Sequence, residues 1–208
     1  MLYPLKAVAL FAIVMAIARR FRQSDHPFVR FGPANQVTTA RAALVALAAG
    51  TLGEPAGSPS AALATGAATL AAILDGVDGW LARRTKMASA FGARFDMEVD
   101  ALLILVLAAL AWQYGKAGPW VLLSGLFRYA FVAAGWVWPW MNEPLPPSRR
   151  RQLICVVQVV GLIVTIAPFV APPASGVAAA GALAALTWSF LVDTLWLWRR
   201  ATPARQAA

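Results

Sequence analysis

DGVDGWLARRTKMASAFGARFDMEVD, residues 75–100, holds five of the nine acidic residues of a chain that is otherwise basic and apolar. Asp75 and Asp78 are three apart, and Asp96 and Asp100 are four apart, so each pair shares one face of a helix. The stretch predicts two helix ends, each offering a pair of carboxylates, joined by a short basic turn. Four carboxylates within reach of one another repel unless something positive lies between them. Hard oxygen donors with no His or Cys beside them suit Mg²⁺ or Mn²⁺ rather than zinc. The one histidine, His26, is distant in sequence, so a carboxylate must serve if the site needs a base.

The surrounding chain is a membrane sequence by composition. Of its 208 residues, 60% are hydrophobic and 13% charged. Soluble domains carry roughly 45–50% apolar and about 25% charged residues. The net charge of +9 sits mostly at the ends of apolar runs. That arrangement follows the positive-inside rule and excludes a nucleic-acid face. The lone Cys155 excludes a disulfide within one chain.

Working outward, the sequence predicts an all-α integral membrane protein in one domain, residues 1–208. Six transmembrane helices span about residues 37–198. Residues 1–22 form an N-terminal interfacial amphipathic helix, because their apolar run of about a dozen residues falls short of the ~20 needed to cross a bilayer. A seventh span is the alternative. Arg19 and Arg20 stand where a signal peptide would need a small-residue cleavage site. Residues 23–36 read as a polar connector, and a first short helix begins at Thr38 and ends at Gly50. The others are expected at about 60–84, 92–115, 119–140, 150–171 and 176–198. Trp136, Trp138, Trp140, Trp188, Trp196 and Trp198 suit an interfacial belt. With six spans, thirteen Lys and Arg fall on the side of the aspartates, Arg22, Arg30, Lys86 and Arg205 among them, and only Lys116 on the other. The acids and both termini are therefore expected on the cytosolic face of a bacterial inner membrane.

A single Asp near a helix end is ordinarily a solvated terminal charge. Four at these spacings are not, since ionisable groups in a membrane protein are costly and functional by default. Gly79, Ala82 and Gly92 stand one residue or one turn from the acids and let a ligand approach the backbone. Arg83 and Arg94 add positive charge suited to phosphate. Metal, arginine and small residues together are what a pyrophosphate substrate requires.

The run Asp75-x-x-Asp78-Gly79-x-x-Ala82-Arg83, then eight residues, then Gly92-x-x-x-Asp96-x-x-x-Asp100, resembles the full signature of the CDP-alcohol phosphotransferases. Pro33-Ala34-Asn35-Gln36-Val37-Thr38-Thr39-Ala40-Arg41 resembles, more loosely, the P-N-x-x-T-x-x-R start of the first span in the phosphatidylglycerol-phosphate synthase branch. It carries one extra residue between Pro and Asn. The resemblance implies a CDP-linked donor, usually CDP-diacylglycerol, attacked at its β-phosphorus by an acceptor hydroxyl, with CMP leaving. It implies Asp75, Asp78 and Asp96 as ligands of Mg²⁺ or Mn²⁺, expected as two ions. Asp100 is implied as the base and a further metal contact. Asp75, Gly79, Ala82, Arg83 and Gly92 would shape the nucleotide site, and Asn35, Thr38 and Arg41 would approach the phosphates. A homodimer is expected from the resemblance alone.

The signature does not choose the alcohol. Arg149, Arg150 and Arg151 are either an anchor on lipid headgroups or a pocket for an acceptor phosphate. Arg128 falls inside an apolar run and needs a partner, Asp193 or a substrate phosphate. These charges favour a phosphorylated small alcohol, such as glycerol 3-phosphate or an inositol phosphate. Inositol, serine or choline are the alternatives. Glu98 falls on another helix face and is left out of the site. From another class, a cation transporter would place its acids nearer the midplane. A non-catalytic scaffold would not need the proposed base.

Overall fold

The computed structural model describes residues 2–25, 31–55, 59–85, 87 and 89–206. His26, Arg30 and Lys86 lie outside these residues, and the side chains of Arg22 and Arg205 lie outside the description as well. Among the described residues there are only helices. They are α1 (Tyr3–Asp25), α2 (Pro33–Gly50), α3 (Pro59–Thr85), α4 (Ala90–Gln113), α5 (Leu123–Val137), α6 (Arg149–Ile166) and α7 (Ala174–Gln206). Short 3-10 turns at Pro119–Leu122 and Pro139–Asn142 flank α5.

Three stretches are long and apolar enough to cross a membrane by length and composition: Pro59–Thr85, Pro119–Val137 and Ala174–Ala201. They make this an integral membrane protein. The other helices are shorter or more polar for a reason tied to the site. α2 has 18 residues and carries Arg41, α4 opens with Arg94, Asp96, Glu98 and Asp100, and α6 opens with three arginines.

Small residues set the packing. Ala61, Ala64, Ala68 and Ala71 of α3 are buried at helical spacing against Ala42, Val45, Ala48 and Ala49 of α2. With no bulk between them, the two backbones come close. α4 packs on α1, α2, α5 and α6. It fills the core with Phe91, Phe95, Val99, Leu103 and Leu107.

Several boundaries differ from expectation. α2 begins at Pro33, not Thr38, because Gly32 takes φ 81, a left-handed turn that suits glycine, and Pro33 fits the first helical turn. The polar connector is therefore shorter by one helical turn and Asn35 lies within the helix. α5 stops at Val137 and α6 at Ile166, because Pro139 and Pro168 push the residues before them into extended backbone. α7 continues well past residue 198.

The N-terminal helix is the main correction. It does not lie across the bundle at an interface but runs lengthwise and antiparallel to α2. The Lys6 Nζ donates to the Leu52 carbonyl just beyond the far end of α2, 2.8 Å away. A Cβ on Gly50 would meet the Tyr3 carbonyl oxygen, while Met15, Ala18 and Arg19 reach Phe31 and Phe91 at the other end. Ala7, Leu10, Phe11, Val14, Met15 and Ala18 face the bundle. The opposite face is apolar too, with Leu5, Val8, Ile13 and Ile17 exposed. A helix apolar all round is not an amphipathic interfacial helix. The start of α1 thus lies at the end remote from the aspartates, not beside them, and Lys6 joins Lys116 there.

That remote end is closed by polar contacts between loops. Gln113 accepts from the Gly53 N–H and donates to the Glu54 carbonyl, at 2.6 and 2.8 Å. The Ser175 hydroxyl donates to the Lys116 carbonyl, and Lys116 Nζ donates to the Val170 carbonyl. If α1 runs the length of the bundle, cysteines placed at Leu2 and Arg200 in a Cys155→Ser background should react with a membrane-impermeant maleimide from opposite faces. Labelling of both from one face would refute this placement.

Candidate active site

Three helix ends meet at the site. α2 brings Asn35, Thr38 and Arg41 in its first turns, α3 brings Asp75, Asp78, Gly79 and Ala82 in its last turns, and α4 brings Gly92, Asp96 and Asp100 in its first turns. The four aspartates converge on the guanidinium of Arg41. Its Nη1 donates to Asp78 at 2.6 Å and to Asp96, and its Nη2 lies 2.7 Å from Asp75 and donates to Asp100. The Arg41 side chain is 1% exposed and Asp78 4%, whereas Asp75 is 41% and Asp96 38% exposed. The cluster is sealed on the α2 side and open on the other. The Thr38 hydroxyl is within 3.1 Å of Asp78 Oδ2, so α2 also positions that carboxylate.

Asp75, Asp78 and Asp96 each offer an oxygen within 4.8 Å of the others. Such a set of hard carboxylate oxygens could hold a divalent cation. The charge count agrees. Four carboxylates and one guanidinium leave three negative charges in a partly buried space, and such an excess calls for cations. Asp100 is not one of these three, although it shares the Arg41 Nη2 contact with Asp75.

Two cavities border the cluster, one at Asp78 and Asp96 and the other at Asp100. The smaller, about 120 Å³, is lined by Asn35, Thr38, Asp78, Gly79, Gly92 and Asp96, with Ala82 beside them. Gly92 keeps α4 close to α2, since a Cβ there would lie 2.8 Å from Asn35 Oδ1. At Gly79 a Cβ would meet only the Arg83 guanidinium, 3.4 Å away, so Arg83 folds over an otherwise open floor while itself exposed. The larger cavity, about 450 Å³, is lined by Asp100, Ser124, Arg128, Arg151, Ser189 and Asp193.

Most of the expected site residues come together, but the outer arginines are partnered differently than their sequence positions suggested. Arg128 is half-buried rather than enclosed, and it pairs with Glu98 and lies 2.7 Å from Met97 Sδ, not with Asp193. Glu98, one turn before Leu102 on the far face of α4, is thus drawn in as the partner of Arg128. Asp193 is held instead by Arg150 and, at 3.4 Å, by Arg151. Arg150 also donates to the Ser189 hydroxyl and carbonyl, at 2.6 and 2.8 Å. Arg149 is exposed. Arg94 lines a separate apolar groove between α1 and α4 rather than either cavity at the aspartates. Arg41 lies beneath the carboxylates and is not among the residues lining the small cavity.

Sequence reasoning missed Ser89 and Ser124. The Ser89 hydroxyl accepts from the Gly92 N–H at 3.0 Å and caps α4. Its place three residues before Gly92 is a recognisable capping signal. Ser124 is buried beside the large cavity with no hydrogen-bond partner for its hydroxyl among the described residues. Nothing in its sequence neighbourhood marks it.

Fold and site define a helical membrane protein whose paired carboxylates border a pocket of small residues near one end of the helix bundle. Sequence comparison gives its family. The profile of the CDP-alcohol phosphatidyltransferases matches residues 31–194, and the chain belongs to that family. A CDP-diacylglycerol–glycerol-3-phosphate 3-phosphatidyltransferase from Cereibacter sphaeroides is 37% identical over 67 residues. That match covers 31% of this chain and 30% of the relative, so the chain is matched to less than a third of it. No solved structure matches the chain significantly.

Gly92→Ala tests the close approach of α2 and α4. Asn35 cannot simply turn away, because its Nδ2 donates to the Phe31 carbonyl at 2.5 Å. The substitution should destabilise the protein by about 1–3 kcal/mol, as overpacking does. Thermal unfolding in detergent would measure it, and an unchanged Tm would contradict the tight contact.

Proposed function

We propose that this protein transfers the phosphatidyl group of CDP-diacylglycerol to the hydroxyl of a small phosphorylated alcohol, releasing CMP, at the cytosolic face of a six-span bundle joined by α1. One observation carries the reading. Asp78 and Asp96 line a cavity with the signature's small residues, and Asp100, held by the same arginine, lines a second cavity with Arg128 and Arg151.

We assign the donor's diphosphate to the smaller cavity, where Gly79, Ala82 and Gly92 leave the backbone open and the Arg83 guanidinium lies beside Gly79, with the rest of the nucleotide outside it. The acceptor fits the larger one, with its phosphate against Arg128 and Arg151. Asp100 accepts the proton of the acceptor hydroxyl. The hydroxyl oxygen forms a bond to the β-phosphorus, and the bond from that phosphorus to the oxygen of CMP breaks. Asp75, Asp78 and Asp96 would hold Mg²⁺ or Mn²⁺, which when bound neutralises phosphoryl oxygens and stabilises the leaving group. The relative's name supports CDP-diacylglycerol and glycerol 3-phosphate as the first substrates to try. The basic residues Arg149, Arg199 and Arg200 near the site end support the cytosolic orientation, since the remote end carries Lys6 and Lys116.

CMP release from CDP-diacylglycerol with Mn²⁺ or Mg²⁺, assayed against glycerol 3-phosphate, inositol 1-phosphate, inositol, serine and choline, tests the reaction. Asp100→Asn should lower kcat by at least about a hundredfold, the usual contribution of a general base, while the donor still binds. Normal turnover by that variant would remove Asp100 from the mechanism. Arg128→Gln should raise KM for the phosphorylated acceptor by about tenfold or more, equal to the loss of one charged hydrogen bond. An unchanged KM would move the acceptor away from the large cavity.

A further inference from the structure

We propose that Arg41 is a tethered cation that fills the metal-ligand space when no ion is bound, and that ion loading drives its guanidinium off Asp75, Asp78 and Asp96. The inference rests on the metal reading above and adds a competitor to it.

The geometry sets the competition. Arg41 Nη1 lies 2.6 Å from Asp78 Oδ2, and Nη2 lies 2.7 Å from Asp75 Oδ1. Nη1 touches Asp96 as well. These are the three carboxylates whose oxygens lie within 4.8 Å of one another. A Mg²⁺ ion sits about 2.0–2.1 Å from its oxygen ligands. Nη1 touches both Asp78 Oδ2 and Asp96 Oδ1, so an ion bound between those two oxygens would need the space that Nη1 fills, and the two cations compete for it.

Burial and charge explain why the arginine is there. Without it, Asp78 at 4% exposure would be a buried anion beside three others, and the ends of α3 and α4 would repel. Arg41 supplies one positive charge against four negative, enough to hold the helix ends together and too little to neutralise them. A cation therefore still gains by entering. The guanidinium is bound through its two Nη atoms, and Arg41 Nε has no partner among the described residues. No other anchor holds the head group in the ligand space. Asp100 lies outside the group of three, so the Nη2 contact to it can persist after loading. Arg41 is then a positioning residue for Asp100.

The test is Mn²⁺ binding to the full-length protein in detergent, without donor, followed by electron paramagnetic resonance, together with thermal unfolding in EDTA and in Mn²⁺. Arg41→Gln should bind Mn²⁺ about tenfold more tightly than the wild type, or about 1.4 kcal/mol. Its Tm in EDTA should fall, and Mn²⁺ should raise its Tm by more than it raises that of the wild type. Loss of the positive charge alone would also tighten Mn²⁺ binding by Arg41→Gln, so Arg41→Lys, which keeps the charge but not the two-pronged contact, separates displacement from charge. Arg41→Lys also serves should Arg41→Gln fail to fold. A single ammonium cannot span both carboxylate pairs, so it should also bind Mn²⁺ more tightly than the wild type. Equal or weaker Mn²⁺ binding by Arg41→Lys, or by Arg41→Gln, overturns the proposal, and tighter binding by Arg41→Lys supports it. Absence of Mn²⁺ binding by wild type and variants alike overturns the carboxylate–metal reading beneath it.

Discussion

One guanidinium in contact with four carboxylates is the constraint on which the rest of the structure depends. Arg41 comes from α2, Asp75 and Asp78 from α3, and Asp96 and Asp100 from α4. Charges so buried are stable only when they are paired, and here the arginine and its two pairs of carboxylates come from three different helices. The helix ends must therefore converge within hydrogen-bonding distance. The alanines of α2 and α3 and the glycine at 92 are what allow that approach, because bulk at any of them would hold the backbones apart.

The same convergence divides the space around the site. On one side small residues leave room along the helix backbones, and on the other Asp100 faces a wider cavity bordered by Arg128, Arg151 and Asp193. The remote end of the bundle has no comparable charge. It is tied by Lys6, Gln113, Lys116 and Ser175 through bonds to loop carbonyls, which closes the loops without building a site.

Much of this was legible in the residues. The acids at three- and four-residue spacing predict both helix faces, and helices Pro59–Thr85 and Ala90–Gln113 carry them as expected. The all-helical membrane class followed from composition. What could not be read was pairing across the bundle. Arg128 and Glu98 are on different helices, 30 residues apart, and no local pattern links them. The same holds for Arg150 and Asp193. α1 was misplaced because length alone suggested an interfacial helix. Its outer row of Leu5, Val8, Ile13 and Ile17 was visible in the sequence, but which row faces outward depends on where the bundle lies.

By itself, the sequence determined the membrane class, the helix faces that carry the acids, and the small residues interleaved with them, because helical period and residue volume are local properties. Only the tertiary structure decided that Arg41 sits at the centre of the four aspartates rather than among the residues lining the small cavity. It alone decided that α1 runs along α2 from the remote end, and that the outer arginines are shared between Glu98 and Asp193. Charge partners in a bundle are chosen by which helix ends meet in space, and that depends on packing along the whole length of the helices.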